Sequence, residues 1–363
     1  MSGRRTKLVV LFGGRSAEHD VSRVTASHVL RAVDPERYDV LPIGIDREGA
    51  WLAATEARRM LDIGPEALPA ALDAEGDPVE PGAALAPTEA GQEVVVLPLL
   101  HGPFGEDGTV QGLLELADVA YVGTGVLGSA VSMDKAMAKE VLLAAGIPQP
   151  RHVAFHVDSE AAHPLRVRER IDHELGWPVF VKPANLGSSI GVSKVSEPEL
   201  LDTALTVAAS YDEWIIVEEA IVGREVELAV LGNTGSMRVT VPGEIVPGAE
   251  FYDYEDKYVT DGAKLLVPAD LDPETVRVLQ ALALRAADTL RVEGMARVDF
   301  FVEESGRGPL VNEVNTIPGF TPISMYPKLW QASGLSYGEL VDELIRLASE
   351  RHARRSSRRR TDR

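Results

Sequence analysis

The stretch Arg297-Val298-Asp299-Phe300-Phe301, followed by Val311-Asn312-Glu313-Val314-Asn315-Thr316-Ile317-Pro318-Gly319, decides the reading of this chain. Both segments are apolar runs with polar residues set into them, which is a strand signature. Side chains two apart on a strand share a face, so Glu313 and Asn315 project together. A neighbouring strand would bring Asp299 beside them. Three oxygen-bearing side chains from two strands suit Mg²⁺, which takes one or two carboxylates and fills its shell with water and phosphate oxygens. The two segments therefore predict the metal end of an ATP site.

Upstream, the strand Val179-Phe180-Val181-Lys182-Pro183 carries a lysine in an apolar run, where it needs an anionic partner. The loop Gly187-Ser188-Ser189-Ile190-Gly191 follows. Its glycines let backbone N–H groups approach an anion and form a nest. No G-x-x-x-x-G-K-[ST] pattern is present, so this is not a P-loop. Taken alone, such a loop is usually just a hairpin turn. Lys135, in Ser132-Met133-Asp134-Lys135, is a second candidate, although a lone lysine on a helix is normally a solvated surface charge. Glu218-Glu219-Ala220-Ile221 closes an apolar strand, and Glu225 comes shortly after. These residues form either an exposed strand end or a hinge that meets adenine and the ribose hydroxyls.

Leu8 to Phe12 reads as a buried strand closed by Gly13-Gly14, and Glu18 lies just beyond it. Ligands bind at such strand ends in α/β sheets. Glu18 can hold an ammonium there, or it can simply favour a helix N-terminus. His101 opens a second turn, His101-Gly102-Pro103-Phe104-Gly105-Glu106-Asp107-Gly108, after the strand Val94 to Leu100. The eight histidines show no H-x-x-H pair, which argues against zinc. Phe251 to Tyr258 holds three tyrosines and Lys257 in a charged loop. It is either a lid that excludes water or a locally packed surface loop.

With 363 residues, the chain has room for two or three domains of ~100–200 residues. Strand, turn, helix and strand in succession predict an open α/β unit over 1–125. Residues 60–92, rich in Ala, Pro, Glu and Gly, read as a surface excursion. A second unit covers 126–218 and opens with a helix over 132–145, stopped by Gly146 and Pro148. A third covers 219–349, with strands near 225–231 and 295–301 and a helix over 273–290. Residues 350–363 carry seven Arg against two acids and read as a disordered basic tail. The net charge of −20 disfavours nucleic acid as a partner. The absence of cysteine fits a reducing compartment. No apolar stretch reaches the ~20 residues of a membrane helix. The expectation is a cytoplasmic protein with no membrane partner.

The order and joint presence of seven pieces resemble the D-alanine–D-alanine ligases of the ATP-grasp superfamily over residues 7–347. The pieces are Phe12 to Ser22, Leu99 to Gly112, Ser132 to Lys135, Val179 to Gly191, Phe251 to Tyr258, Ala296 to Asp299 and Asn312 to Gly319. The resemblance implies an α/β (α+β), three-domain ATP-grasp fold with an N-terminal open α/β domain and ATP between the second and third domains. It implies an ADP-forming ligase that joins two D-alanines through an acyl phosphate. Lys135, Lys182 and the Ser189 loop would contact phosphates, Glu218 and Ile221 adenine, and Glu225 the ribose. Asp299, Glu313 and Asn315 would hold two Mg²⁺ (or Mn²⁺), with a monovalent cation left open.

By the same resemblance, Glu18, Ser188 and Tyr258 would hold the first D-alanine, with His101 nearby. Arg297 and the Gly319 N–H would stabilise the oxyanion, and Ser324 and Lys257 would hold the second D-alanine. A homodimer is also implied. Lactate-type relatives lack the loop tyrosine and carry a basic residue where Met325 stands. Tyr258 and Met325 therefore favour D-alanine over D-lactate or D-serine as second substrate. Another ATP-grasp ligase, or a non-catalytic binding protein on this fold, is the alternative.

Overall fold

The structure is a computed structural model and describes residues 5–246, 264–304 and 306–359. The first sheet contains β1 (Thr6–Gly13), β2 (Tyr38–Ile45), β3 (Trp51–Ala53), β4 (Asp77–Pro78), β5 (Val94–Pro98) and β6 (Ala120–Tyr121), in the order β4-β3-β2-β1-β5-β6. β1 pairs in parallel with both β2 and β5. Leu8 to Phe12 are fully buried, as an unbroken apolar run in a parallel sheet requires. Strand order reverses beside β1, so a crevice opens at the carboxyl ends of β1 and β5. Gly13 turns the chain out of β1 at φ +88, where an added Cβ would lie 2.3 Å from Ile45 O. Only glycine fits that turn. Ser22, on α1 (His19–Ala32), accepts from the Gly13 N–H at 2.8 Å and donates to Leu99 O at 2.5 Å. One hydroxyl thus ties the two strand ends that form the crevice.

The remainder of this unit holds α2 (Thr55–Ile63), α3 (Pro81–Leu85) and α4 (Thr109–Leu116). Residues 60–92 are not merely a surface excursion. Leu68, Leu72, Ala84 and Leu85 are buried, and β4 pairs with β3. Single apolar residues spaced through a Pro/Gly-rich segment anchor it without giving a periodic signal.

The second sheet holds β7 (His152–His156), β8 (Val179–Pro183), β9 (Ser193–Val195) and β10 (Trp214–Glu219), all antiparallel, in the order β7-β10-β8-β9. The helix expected over 132–145 is two, α5 (Val126–Met133) and α6 (Lys135–Ala144). They break at Asp134, whose carboxylate caps α6 by accepting from the Met137 N–H at 2.9 Å. α7 (Pro164–Arg170) and α8 (Leu201–Ala209) complete this unit.

The third sheet runs β14-β13-β11-β15-β16, with β12 (Arg238–Val239) on β11 (Arg224–Gly232). Its other strands are β13 (Gly243–Val246), β14 (Lys264–Leu266), β15 (Gly294–Glu303) and β16 (Gly308–Asn315). α9 (Pro273–Thr289) covers one face. Asp272 caps it, Pro273 occupies its first turn, and Leu279, Leu282, Ala283 and Ala286 are buried. α10 (Met325–Ala332) and α11 (Tyr337–Arg359) end the described chain.

The expected disordered tail is corrected here, because α11 continues through residues 350–359. Arg351 is 3% exposed, donates to Tyr121 O at 2.9 Å and to Gly123 O, and lies 4.3 Å over the Tyr121 ring. Arg354 pairs with Glu293, and Arg355 with Glu115. Charge complementarity and arginine stacking dock this segment, so apolar periodicity is not needed. The helix also returns to the first sheet, where Tyr38 donates to Asp342 at 2.9 Å. Arg351→Ala strips two buried carbonyls of their donor and is expected to cost about 2–4 kcal/mol, read from urea unfolding at neutral pH.

Candidate active site

The register of the third sheet assembles the polar core of the site. Glu227 on β11 faces Asp299 on β15, which faces Glu313 on β16. Two pairs further along, and so on the same face, Arg297 faces Asn315. Arg297 is clamped by Asp299, with Nε to Oδ1 and Nη2 to Oδ2 both at 2.7 Å, and its Nε lies 3.0 Å from Glu227 Oε2. Burial opposes its charge, but Asp299 and Glu227 overcome that and hold the guanidinium firmly protonated. The Asn315 amide donates to Asp299 at 2.9 Å and reaches Glu313 at 3.5 Å. Asp299, Glu313 and Asn315 are therefore brought together on one face.

A β-bulge between Asp299 and Phe300 shifts the pairing, so Phe300 faces Val311 and Asn312 is passed over. The Asn312 carbonyl accepts from Lys139 Nζ at 3.1 Å. The oxygen-rich donor set suits Mg²⁺ or Mn²⁺. Among the described residues, no three His, Cys, Asp or Glu side chains form a metal cluster by themselves. Oxygens from a ligand, such as phosphate, would have to complete the shell.

A chain of charges leads from this sheet to the second one. Lys139 Nζ lies 3.6 Å from Glu218 Oε1, and Lys182 Nζ donates to Glu218 Oε2 at 2.9 Å. Lys139 and Glu218 are both buried. Burial alone would raise the Glu218 carboxyl, but Lys139 and Lys182 outweigh it and bring the group from 4.5 to about 2. A carboxylate lowered in the fold adds stability above its unfolded value and loses it as pH falls toward its folded value. Glu218→Gln is therefore expected to cost about 3–5 kcal/mol at pH 7 and clearly less at pH 3, measured by urea unfolding at both. An equal cost at the two values would refute the charge pairing.

Lys135 Nζ donates to Leu186 O at 2.5 Å and lies 3.8 Å from Glu313, which links the loop to the acidic row. Ile221 lies in the passage from β10 into β11, and Glu225 is the second residue of β11.

The third group lies at the crevice of the first sheet. Glu18 is buried at the start of α1, and Ser188 Oγ donates to its Oε1 at 2.5 Å. Ser188 and Ser189 both take left-handed backbone, φ 51 and 58. Two adjacent non-glycine residues there cost about 1–2 kcal/mol each, and the conformation directs the Ser188 hydroxyl across to Glu18. His101 is 5% exposed, with Nδ1 3.1 Å from Ile317 O, and its buried Nε2 has no hydrogen-bond partner among the described residues. Glu106 accepts from the Gly102 N–H at 2.7 Å and the Ile317 N–H at 3.1 Å. Burial, then the nearby Glu18 charge, pushes its carboxyl up to about 8.

A cavity of about 760 Å³ joins the polar core of the third sheet to the crevice of the first, with Glu18, His101, Glu106, Lys135, Ser188, Glu227, Arg297, Glu313, Asn315, Gly319, Ser324 and Met325 on its wall. Its size suits a small-molecule site. Ser324 is the residue just before α10, and its hydroxyl shares a hydrogen bond with Thr321 at 2.8 Å instead of capping the helix. Met325 is 5% exposed and packs on Gly243. Lys182, Ser189, Glu218, Ile221, Glu225 and Asp299 are off this wall, Asp299 lying behind the Arg297 fork that engages it. Lys257, Tyr258 and the expected lid over 251–258 lie outside the described residues.

Sequence reasoning missed Glu106, Lys139 and Glu227. Lys139 stands four residues after Lys135, the spacing of one helix face. Glu227 is an acid inside the apolar run of β11, two residues after Glu225. Glu106 sat unremarked in a glycine-rich turn.

Residues 7–124 match the family described as D-ala D-ala ligase N-terminus, and residues 141–346 match D-ala D-ala ligase C-terminus. A D-alanine--D-alanine ligase of Arthrobacter sp. (strain FB24) is 48% identical over 96% of this chain and 95% of its own length. One from Geobacillus kaustophilus is 45% identical over 96% of each. Among solved structures, the D-alanine-D-alanine ligase from Coxiella burnetii superposes with a TM-score of 0.81 at 34% identity, over 99% of this chain and 98% of that one. A D-Ala:D-Ser ligase from Enterococcus faecalis gives 0.80 at 37% identity, over 95% of this chain and all of the other.

Proposed function

The chain belongs to the D-alanine–D-alanine ligase family of the ATP-grasp fold, and from that premise we propose how its residues carry the reaction. It is a ligase that joins two D-alanines into D-alanyl-D-alanine for peptidoglycan precursors. The observation that carries our reading is the convergence of Arg297, Glu313 and Asn315 with Glu18 and Ser188 on one cavity wall.

In the proposed first step, the carboxylate of the first D-alanine attacks the γ-phosphorus of ATP, and ADP leaves an acyl phosphate. Glu18 and Ser188, with Tyr258, hold the ammonium of that substrate, and His101 lies beside it. Lys135, Lys182 and the Ser189 loop offset the charge of the two anions as they meet. Glu218 and Ile221 face adenine, and Glu225 the ribose. Asp299, Glu313 and Asn315 would hold two Mg²⁺ (or Mn²⁺), which supply charge neutralisation on the phosphates when bound. In the second step, the free amine of the second D-alanine attacks the acyl carbon, and phosphate leaves. Arg297 and the Gly319 N–H stabilise the tetrahedral oxyanion. Ser324 and Lys257 hold the second substrate carboxylate against the apolar Met325 wall, which offers a lactate or serine hydroxyl no partner.

The 251–258 segment is proposed to exclude water from the acyl phosphate. The proposed units are 1–125, 126–218 and 219–349, in a cytoplasmic homodimer.

The test is phosphate release with Mg·ATP and D-alanine, alone or with D-lactate or D-serine, with products identified by mass. Dipeptide as main product from D-alanine alone supports the reading. Mainly depsipeptide or D-Ala-D-Ser would overturn the role given to Met325. No turnover with any of them would overturn the catalytic reading.

A further inference from the structure

Arg297 and Asp299 have competing obligations. Both Asp299 oxygens are engaged by the Arg297 fork at 2.7 Å. The proposed function, on which this inference rests, also asks Asp299 to bind a cation and Arg297 to face the reacting carbonyl. If Asp299 were the sole anchor, turning it toward the cation would release a half-buried guanidinium. Glu227 removes the conflict. It is 5% exposed, it lines the same cavity, and its Oε2 lies 3.0 Å from Arg297 Nε. It projects from β11 directly opposite Asp299, so the two carboxylates flank Arg297 from adjacent strands.

We propose that Glu227 is the positioning residue that keeps Arg297 aimed at the reacting carbonyl while Asp299 turns to the cation. A fixed second carboxylate lets the site exchange one anchor without moving the arginine. The preorganised donor then needs no rearrangement when the oxyanion forms. Glu227 touches no reacting atom in this account and acts only through Arg297.

The test compares Glu227→Ala, Glu227→Gln and Asp299→Asn in the full chain. Calorimetry measures affinity for the non-hydrolysable imido analogue of ATP, with Mg²⁺ and with EDTA. A second measurement is phosphate released per dipeptide formed. Glu227→Ala is expected to weaken Mg²⁺-dependent binding about tenfold, the scale of one charged hydrogen bond, and to leave metal-free binding unchanged. Phosphate per dipeptide should rise above one, because a misplaced Arg297 leaves the acyl phosphate to water. Arg297 Nε now donates to Asp299, and its 3.0 Å contact with Glu227 is an ion pair. Glu227→Gln keeps an oxygen that can accept from Nε once Asp299 has turned away and should recover part of both effects, which also keeps the test valid if the Ala variant fails to fold. Equal effects of Ala and Gln would mean that only the charge of Glu227 matters, and would overturn the positioning role. Wild-type binding and coupling in both variants, with Asp299→Asn impaired, would overturn it as well. Unchanged Mg²⁺-dependent binding in Asp299→Asn would instead overturn the metal reading beneath it.

Discussion

Arg297→Met is expected to reduce dipeptide synthesis about 10²–10³-fold, the usual loss for one oxyanion donor. Affinity for Mg·nucleotide should be retained or increased. Arg297 is wedged among Glu227, Asp299 and Asn315. Removing it frees both Asp299 oxygens and leaves a more negative surface for a cation. Metal-free stability should fall for the same reason, since the carboxylates that paired with it lose their counter-charge. Steady-state kinetics and calorimetry with the imido analogue separate the two effects. Unchanged kcat would remove Arg297 from the chemistry, and lost nucleotide affinity would make it a ligand-binding residue.

Lys139→Met is expected to cost about 3–5 kcal/mol, the range for breaking a buried ion pair by deleting one partner. Methionine matches the lysine in length, so a cavity contributes little. The loss comes from Glu218, which keeps only Lys182 at 2.9 Å, and from the Asn312 carbonyl, which loses its donor at 3.1 Å. Lys139 ties α6 to β10 and β16 at once, so the damage should reach the nucleotide side as a raised KM for ATP. The double variant Lys139→Met with Glu218→Gln removes both charges and should recover part of the stability. A single-variant cost below about 1 kcal/mol would mean that Glu218 does not depend on Lys139.

These two predictions differ in how far the sequence reached. Arg297 was legible because period-two alternation on a strand states which side chains share a face, and two short segments named Arg297, Asp299, Glu313 and Asn315. The register then set Asp299 opposite Glu313 and Arg297 opposite Asn315. Lys182 was legible as a charge in an apolar strand, although its partner Glu218 was assigned to a ligand and not to a lysine.

Lys139 was not legible, because its partners come from β10 and from a carbonyl exposed by the bulge of β16. A bulge leaves no mark on hydrophobic alternation. α11 failed for a related reason. Arginine-rich helices look unfoldable in isolation, and only the Tyr121 and Gly123 carbonyls, more than two hundred residues away, make Arg351 a core residue.

The sequence by itself determined the strands that carry the site residues, the face on which the acidic residues and Arg297 project, the glycine turn after β1 and the family. Those depend on local backbone geometry and on the order of short motifs. Tertiary structure alone decided that Ser188 closes on Glu18, that Lys139 and Lys182 share one buried carboxylate, that Glu106 is held near neutrality and that Glu227 flanks Arg297. Each of these depends on charges brought together out of water by strands and helices far apart in the chain. Their energies come from that desolvated proximity, which no local pattern encodes.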